Sequence, residues 1–332
     1  MLVRAPGKVN FSLLIAGKRA DGYHEIETLM AKVNWYDEIL IERQTEDRGQ
    51  KTEDGTKNTE QRIQNTEQKA EDGGRENVQY PTSNVELRTN ETPVIELICK
   101  GPYPVPAGEE NLVYKAAKLI LETAGQTVDV RLTLTKNMPA GSGLGSGSSD
   151  AAATLMGINR FFKLGLGKKE LAGLAAKLGS DVAFFLDGPM ALCTGRGEKV
   201  KKLAECEFRV LLIVPSVSVS TKRVYENYRH DEAKYRRLRE EINVYIEKNR
   251  IDLVCSMCAN MLQESCFGLH PELGVLKKRI ESMGVRPVCL SGSGSSMFCI
   301  INRSNEEGVK AYRDKFEQES GCKSIIVNNN SW

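Results

Sequence analysis

The feature that most constrains the fold is a glycine-rich segment between a predicted strand and a predicted helix. Glycine stands at every second position from 141 to 147, after an alternating apolar run at 128–135 and before an alanine-rich pattern at 151–162. Glycine allows positive φ and a close approach of the backbone to a ligand. A loop that opens a helix also points its N–H groups and the helix dipole at an anion. The segment therefore predicts a phosphate cradle, and hence a nucleotide-binding site.

The spacing within this segment excludes two common cradles. Ser148 follows the last glycine, where a P-loop requires lysine and then serine or threonine. No register places glycines at the first, third and sixth positions, as the dinucleotide fingerprint requires, and the companion motifs of protein kinases are absent. A flexible Gly/Ser linker is the alternative. The entry through Pro139, the apolar Leu144 and the immediate helix favour a built loop.

Composition limits the class of protein. The chain has 332 residues, enough for two domains, and its 46 basic and 44 acidic residues leave a net charge of +2. This near-balance gives no case for binding nucleic acid or a membrane surface, and no apolar run is long enough to span a bilayer. The first residues read as a strand without a signal-peptide core, so we expect a cytoplasmic protein.

The cysteines suggest neither a metal site nor a redox motif. There are nine, and the one C-x-x-C pair, Cys255 and Cys258, lies in an apolar helical pattern. A zinc or redox site would need a second pair or nearby histidines, and the chain has only three histidines. We therefore expect reduced, partly buried thiols.

Residues 45–93 differ in character from the rest. They repeat short polar motifs and contain hardly any apolar residues, so they cannot bury enough surface to offset the entropy lost on ordering. We expect an inserted mobile loop between two strands; a segment that binds a partner is the alternative.

Periodicity predicts the remaining elements. Alternating apolar residues predict strands over 2–16, 26–33 and 37–43, and an apolar run predicts another over 208–214. Amphipathic patterns predict helices at 111–123, 168–178, 224–248, 252–264, 273–283 and 309–319. The second half alternates strands and helices, which indicates an α+β fold with helices on one face of a sheet.

Three segments in order now match one family pattern. They are Pro-Gly-Lys-Val-Asn with Ala-Asp-Gly-Tyr-His near the N-terminus, the glycine loop at 139–149, and Leu-Ser-Gly-Ser-Gly-Ser-Ser-Met-Phe at 290–298. This set resembles the GHMP small-molecule kinases over the whole chain except 45–93. The Ala-Asp-Gly-Tyr-His segment, with Gly-Ser-Asp-Val-Ala-Phe-Phe at 179–185, is similar to members that act on a cytidine-linked alcohol.

The resemblance implies a fold and a reaction. Residues 1–202 would form an ATP-binding domain like the second domain of ribosomal protein S5, and residues 203–332 a ferredoxin-like, substrate-binding domain. ATP, with Mg²⁺, would phosphorylate the 2-hydroxyl of a cytidine-diphosphate-linked methylerythritol in non-mevalonate isoprenoid synthesis. The substrate would lie between the domains. We expect neither nucleic acid nor a membrane as a partner, and the sequence identifies no partner for the 45–93 insertion.

The same resemblance assigns the catalytic pair. Asp181 would be the general base, and its place in an apolar stretch would tune its pKa; the alternative is an N-cap of the following turn. Lys8 would hold the hydroxyl and stabilise the transferred phosphoryl group; the alternative is a solvated lysine. The residues expected to contact ATP are Pro139, Ala140, Gly141, Ser142, Gly143, Leu144, Gly145, Ser146, Gly147, Ser148 and Ser149.

The substrate site is also assigned by resemblance. Tyr23 would stack on cytosine and His24 would bind its edge, with Tyr225 as a second stacking ring. Asn10 shares the strand face of Lys8, and Thr221 falls among the family's substrate contacts. The 291–296 segment either closes the cleft near the phosphates or forms an ordinary tight turn.

Two serines depart from the family's glycine loop. Ser142 stands where alanine is common and Ser146 where glycine is usual. If position 146 needs positive φ, serine there costs about a kcal/mol and would lower ATP affinity. No acidic ligand for Mg²⁺ is evident from spacing, and Ser148 or Ser149 with the ATP phosphates would suffice.

The sequence is compatible with two other functions. A GHMP kinase for another small alcohol, such as mevalonate or homoserine, would have no base for Tyr23 and His24 to bind. A non-catalytic nucleotide-binding protein of the same fold would have no need of both Lys8 and Asp181. These residues favour the cytidine-linked substrate and a catalytic protein.

Overall fold

A computed structural model describes residues 1–44, 93–301, 313–315, 318 and 322–330. The predicted insertion at 45–93 lies outside the described residues except for residue 93. Most of the predicted helix at 309–319 lies outside them as well. Among the described helices, none combines the length and the apolar character that crossing a bilayer would require.

The described strands form two sheets. In chain order they are β1 Leu2–Lys18, β2 His24–Arg43, β3 Ile95–Lys100, β4 Val130–Thr135, β5 Met190–Gly195, β6 Lys199–Lys202, β7 Arg209–Val214, β8 Ala259–Asn260, β9 Cys289–Leu290, β10 Met297–Ile300 and β11 Lys323–Asn328. The first sheet has the order β3-β4-β2-β1-β8, and β5 pairs with β2 and with β6. The second sheet has the order β11-β7-β10-β9.

The long β1–β2 hairpin places the first family motif. The two predicted strands at 26–33 and 37–43 are one strand, β2, because the pairing continues past a register shift between Pro6 and Gly7. A second shift follows Asn10. Lys8 thus lies on a short regular stretch between two irregularities. Its backbone N–H donates to Leu144 O of the glycine loop at 2.9 Å.

The described helices follow the amphipathic patterns in most places. They are α1 Leu112–Thr123, α2 Ser146–Phe161, α3 Lys168–Leu178, α4 Val182–Phe185, α5 Thr221–Glu226, α6 Glu232–Glu247, α7 Ile251–Met257, α8 Gln263–Leu269 and α9 Pro271–Ser282. Asn111 caps α1 by accepting a hydrogen bond from Val113 N. The predicted helix at 168–178 is confirmed. The charged region at 224–248 is two helices, because Asp231 caps a new helix through Lys234 N.

The predicted single helix at 252–264 is wrong. α7 ends at Met257, and Cys258 has a φ of 51°, which turns the chain so that β8 pairs with β1. Cys258 is bonded to Cys289 in a disulfide, so the expectation of reduced thiols is also wrong for Cys258. Apolar periodicity runs unbroken across the turn and gives no sign of it. Cys255 is a buried thiol, as expected.

The core lies on both sides of the first sheet. One apolar cluster joins the sheet to α1, α2 and α3, and the other joins it to the second sheet and the later helices. Phe11 on β1 marks this second junction, because its ring packs edge-on against Phe208 at 4.9 Å and Phe298 at 5.6 Å. The α+β class is confirmed; the boundary between residues 202 and 203 stays a prediction.

Candidate active site

The glycine loop ends at the N-terminus of α2. Gly141, Gly143 and Gly145 all have positive φ, at 66°, 80° and 66°. Gly145 is the N-cap residue of α2, so the first amides of a helix of 16 residues open into the loop. Four N–H groups at a helix start have no partner within the helix, and together with the dipole they favour a phosphate there. The predicted phosphate cradle therefore has the expected backbone form.

The two serines that depart from the family pattern are accommodated without strain. Ser146 is the first residue of α2 and is not among the described residues with positive φ. The strain expected if that position needed positive φ therefore does not arise. The hydroxyls of Ser142 and Ser146 both donate to Pro139 O, at 2.8 and 3.3 Å. These two hydrogen bonds connect Pro139, at the start of the loop, to the loop itself and to the first residue of α2.

The 291–296 loop packs directly on the glycine loop. Ser296 N donates to Ser142 O at 2.9 Å, and Ser291 Oγ donates to Gly143 O at 3.0 Å. A Cβ on Gly143 would lie 2.2 Å from Ser291 O, so only glycine fits at this approach. The 291–296 loop therefore contacts the glycine loop directly, and its closure of the cleft near the phosphates stays a prediction.

Lys8 is buried beneath the same loop. Its Nζ donates to Gly143 O at 2.8 Å and to Asn10 Oδ1, and it lies 3.8 Å from Asp181 Oδ2. Its side chain is only 4% exposed, so the interpretation as a solvated lysine is wrong. Burial lowers the pKa of Lys8, and the Asp181 carboxylate partly opposes that shift.

Asn10 is engaged inside the protein. Its amide Nδ2 donates to Thr28 Oγ1 at 2.8 Å, while its Oδ1 accepts from Lys8. Thr28 thus fixes the amide whose oxygen holds Lys8. The predicted contact of Asn10 with substrate stays a prediction.

Asp181 stands at the N-cap position of α4 but caps no backbone N–H with its side chain. The N-cap alternative therefore does not describe this carboxylate. Its side chain is 30% exposed and faces Lys8. On the far end of α4, Lys32 Nζ donates to Phe185 O at 3.0 Å and to Asp187 O at 2.6 Å. α4 is thus anchored at its C-terminal end while its N-terminal end presents Asp181 to the cleft.

The predicted base-binding residues are only partly brought together. The His24 ring lies 5.3 Å from Tyr225 and 5.8 Å from Tyr228, a residue that the motifs did not indicate. Tyr23 is 57% exposed and lies under the guanidinium of Arg196 at 5.0 Å. Burial, followed by the charge of Lys18, lowers the pKa of His24, which favours a neutral imidazole that can both donate and accept.

Helix α5 joins this aromatic group to the closing loop. Thr221 Oγ1 and Ser293 Oγ are 2.8 Å apart, and Tyr225 follows on the same helix. Burial, followed by the charge of Asp181, raises the pKa of Tyr225. The charge of Asp181 therefore acts on the Tyr225 hydroxyl.

One buried cluster was not predicted from the sequence. Lys136 Nζ lies 2.5 Å from Asp37 Oδ2 and 2.6 Å from Asp150 Oδ2, and the three side chains are almost fully buried. Asp37 Oδ1 also accepts from the backbone N–H groups of Asn137 and Met138. The cluster therefore fixes the residues that lead into the glycine loop. Its only signal in the sequence is Lys136, a lysine that directly follows the apolar strand β4.

The described residues contain no group of three or more His, Cys, Asp and Glu side chains placed to hold a metal ion. Ser149 Oγ is buried near the start of α2 and has no hydrogen-bond partner among the described residues. A hydroxyl oxygen is a fitting ligand for Mg²⁺, which is commonly held by few protein groups together with phosphate oxygens. The donor set therefore fits a cation that the nucleotide itself helps to hold.

Comparison with known proteins defines the class. Family models described as the GHMP kinases N terminal domain and the GHMP kinases C terminal match residues 111–189 and 242–318. With the phosphate cradle, these matches define an ATP-dependent small-molecule kinase. The 4-diphosphocytidyl-2-C-methyl-D-erythritol kinase of Bacillus cereus (strain B4264) is 32% identical over 306 residues, which cover 92% of this chain and 89% of that protein. The chain belongs to the GHMP kinase family.

Two further comparisons agree. The kinase of the same name from Geobacillus sp. (strain WCH70) is 33% identical over 321 residues, which cover 95% of this chain and 94% of that protein. A crystal structure of 4-(cytidine 5'-diphospho)-2C-methyl-D-erythritol kinase superposes with a TM-score of 0.66 at 28% identity, over 99% of this chain and 100% of that one. A homoserine kinase from Cytophaga hutchinsonii, 20% identical with a TM-score of 0.67 over 100% of this chain and 94% of that one, shares the fold.

Proposed function

We propose that this kinase transfers the γ-phosphoryl group of ATP to the 2-hydroxyl of 4-diphosphocytidyl-2-C-methyl-D-erythritol, with Asp181 as general base. The observation that carries the proposal is the Lys8–Asp181 pair, which lies 3.8 Å apart beneath the glycine loop. The names of the relatives that cover most of the chain support the choice of acceptor. The reaction would serve non-mevalonate isoprenoid synthesis.

Asp181 would accept the proton of the acceptor hydroxyl. As the hydroxyl oxygen bonds to the γ-phosphorus, the bond from that phosphorus to the β,γ-bridging oxygen breaks and ADP leaves. The proton passes to a carboxylate oxygen of Asp181, which is 30% exposed and so can reach a bound ligand. A base within hydrogen-bond reach of the hydroxyl is the geometric requirement.

Lys8 would stabilise charge during transfer. Asn10 and Gly143 hold its ammonium by hydrogen bonds on one side, which leaves its remaining side toward Asp181. A fixed cation in a buried site stabilises the negative oxygens of a moving phosphoryl group more strongly than one in water. An ionised Asp181 favours the charged form of Lys8, because its negative charge opposes the lowering of the Lys8 pKa by burial.

The phosphates of ATP would lie on the segment from Pro139 to Ser149. The positive-φ glycines open the backbone amides, and the N-terminus of α2 adds its partial positive charge. Magnesium, held by Ser148 or Ser149 and the phosphates, would neutralise part of the phosphate charge. Ser149 Oγ, buried without a partner among the described residues, supports that assignment.

The cytosine end of the substrate would lie among His24, Tyr23 and Tyr225. His24 offers ring nitrogens to the base edge, and the two tyrosines offer faces for stacking. Thr221, whose hydroxyl is hydrogen-bonded to that of Ser293, would line the passage between the base and the phosphates. The substrate would thus lie between the proposed domains, 1–202 and 203–332.

ADP release from purified protein with Mg·ATP tests the proposal. Three acceptors would be compared in parallel: the cytidine-linked compound, mevalonate and homoserine. We expect release with the cytidine compound alone, and at least a hundredfold less with Asp181→Ala. Release with mevalonate or homoserine instead would overturn the acceptor, and full turnover by Asp181→Ala would overturn the base.

A further inference from the structure

We propose that Arg196, in the turn between β5 and β6, binds the diphosphate that links the cytidine to the acceptor alcohol. The inference rests on the proposed function, because it takes a nucleoside-diphosphate-linked alcohol as substrate. Arg196 lies outside the sequence segments that resemble the family motifs.

The turn lies between the two ends of the proposed substrate site. A Cβ on Gly197 would lie 3.4 Å from Asp181 Oδ1, so the turn passes beside the proposed base. One residue earlier, the Arg196 guanidinium lies 5.0 Å above the Tyr23 ring, at the cytosine end. A molecule with its hydroxyl at Asp181 and its base at Tyr23 must run its linking diphosphate past this turn.

The backbone fixes the turn in this place. Gly195 pairs with Ile26 on β2, and Gly195 N donates to Glu25 Oε1 at 3.2 Å. β2 begins at His24, so the same strand carries the base-binding segment and the register of the turn. Arg196 is therefore held at a set distance from the cytosine end, as a specificity residue must be.

The Arg196 guanidinium has donors to spare. Its Nε lies 3.9 Å from Glu198 Oε2, too far for a hydrogen bond, because that oxygen accepts from Arg196 N at 2.6 Å instead. Nearby Asp21 is paired with Arg19 at 3.1 Å. The Arg196 side chain is 35% exposed, so its charge is open to a ligand from the cleft.

The stacking geometry favours a phosphate ligand. A guanidinium that lies over an aromatic face is held by the ring's negative face. Its N–H groups point outward in its own plane, where they match the oxygens of a phosphate in a bidentate contact. From its place over the Tyr23 ring, Arg196 would therefore bind the diphosphate next to the base.

Inhibition by substrate fragments tests this assignment. Cytidine carries the base and the ribose, whereas CDP adds the diphosphate, and both should compete with the acceptor in the ADP-release assay. In Arg196→Ala we expect the inhibition constant of CDP to rise about tenfold or more, while those of cytidine and the KM of ATP stay within about twofold. Arg196→Lys should recover part of the CDP affinity.

Two further variants separate this role from a general effect on the hairpin. Lys199→Ala removes an exposed positive charge from the same hairpin and should leave the inhibition constants of both fragments unchanged. Tyr23→Ala should weaken both cytidine and CDP, because it removes the base contact that the two fragments share.

An equal loss of cytidine and CDP binding in Arg196→Ala would overturn the proposal, because the arginine would then only position Tyr23. Unchanged CDP binding would overturn it as well. Wild-type protein that releases no ADP with the cytidine-linked acceptor would instead refute the proposed function and this inference with it.

Discussion

Two buried lysines next to the glycine loop have contrasting surroundings. Lys136 contacts two carboxylates, Asp37 and Asp150, at 2.5 and 2.6 Å, and each of the three side chains is at most 3% exposed. Lys8 lies 3.8 Å from a single carboxylate, Asp181, which is 30% exposed. The first lysine is enclosed with its partners, whereas the second faces a carboxylate that a ligand can reach.

The contrast separates structural from chemical use of the same residue type. Asp37 uses its second oxygen to hold the backbone of Asn137 and Met138, so the enclosed cluster fixes the approach to the phosphate cradle. Lys8 is held by neutral acceptors, which leave Asp181 uncommitted. Lys136, which is paired with two buried carboxylates, therefore has a structural role in the loop. Lys8, which is held by neutral groups next to a partly exposed carboxylate, is placed for a catalytic role.

Asp181→Asn should give the largest effect, a loss of turnover, and it tests the catalytic role of the Lys8–Asp181 pair. The amide cannot accept the hydroxyl proton, so kcat should fall about 10²–10⁴-fold. The free energy of unfolding should change by less than about 0.5 kcal/mol, because the carboxylate caps nothing and is partly exposed. ADP release and urea unfolding measure the two quantities. The control is Asp187→Asn, six residues after Asp181. It removes a carboxylate that pairs with Lys202, and it should keep kcat.

Lys136→Met should give the largest loss of stability. It leaves two buried carboxylates without their cation, which costs about 3–5 kcal/mol of unfolding free energy by urea denaturation. Lys8→Met should cost clearly less, because its carboxylate partner reaches solvent, yet it should abolish most turnover. If the two variants were equally destabilised, the distinction between an enclosed and an open lysine would fail.

A pH effect should follow from the enclosed cluster. Burial raises the pKa of Asp150 to about 7, above its value of about 4 in an unfolded chain. A carboxyl with a raised folded-state pKa stabilises the fold at low pH and loses that contribution as pH rises through the folded-state value. Relative to Asp150→Asn, the wild type should therefore lose unfolding free energy as the pH rises from 4 to 7.

Urea unfolding of both proteins across that pH range measures this difference. The comparison between the two removes the contribution of all other carboxyls. A wild type whose stability runs parallel to that of Asp150→Asn would show that Asp150 stays ionised throughout and that Lys136 fully compensates it.

Sequence reasoning reached the open site and missed the enclosed one for physical reasons. Period-two alternation put Lys8 and Asn10 on one strand face, and the glycine pattern located the start of α2. The meeting of Lys8 with Asp181 came only from the family resemblance, because no periodicity links distant segments. Lys136, Asp37 and Asp150 come from three separate segments, so their pairing is a property of the packed sheet and helix.

Local breaks were equally hidden. The apolar pattern runs through Cys258 as if one helix continued, but a single left-handed residue and the pairing of β8 with β1 end it. The Arg196 turn carries no pattern at all, since its position depends on the register of β5 against β2. Sequence therefore predicts best where a function is built into consecutive residues.

Asn10→Ala should give the smallest effect and sharpen the account of Lys8. The ammonium would lose one of its two neutral acceptors, and a lost charge-assisted hydrogen bond of about 1.5 kcal/mol corresponds to roughly a tenfold fall in kcat. Ser12→Ala is the matched control, because its hydroxyl accepts from Leu29 N on the same strand face without touching Lys8. It should lose similar stability and keep kcat. A higher KM for the acceptor with unchanged kcat in Asn10→Ala would instead assign Asn10 to the substrate, as the family resemblance implied.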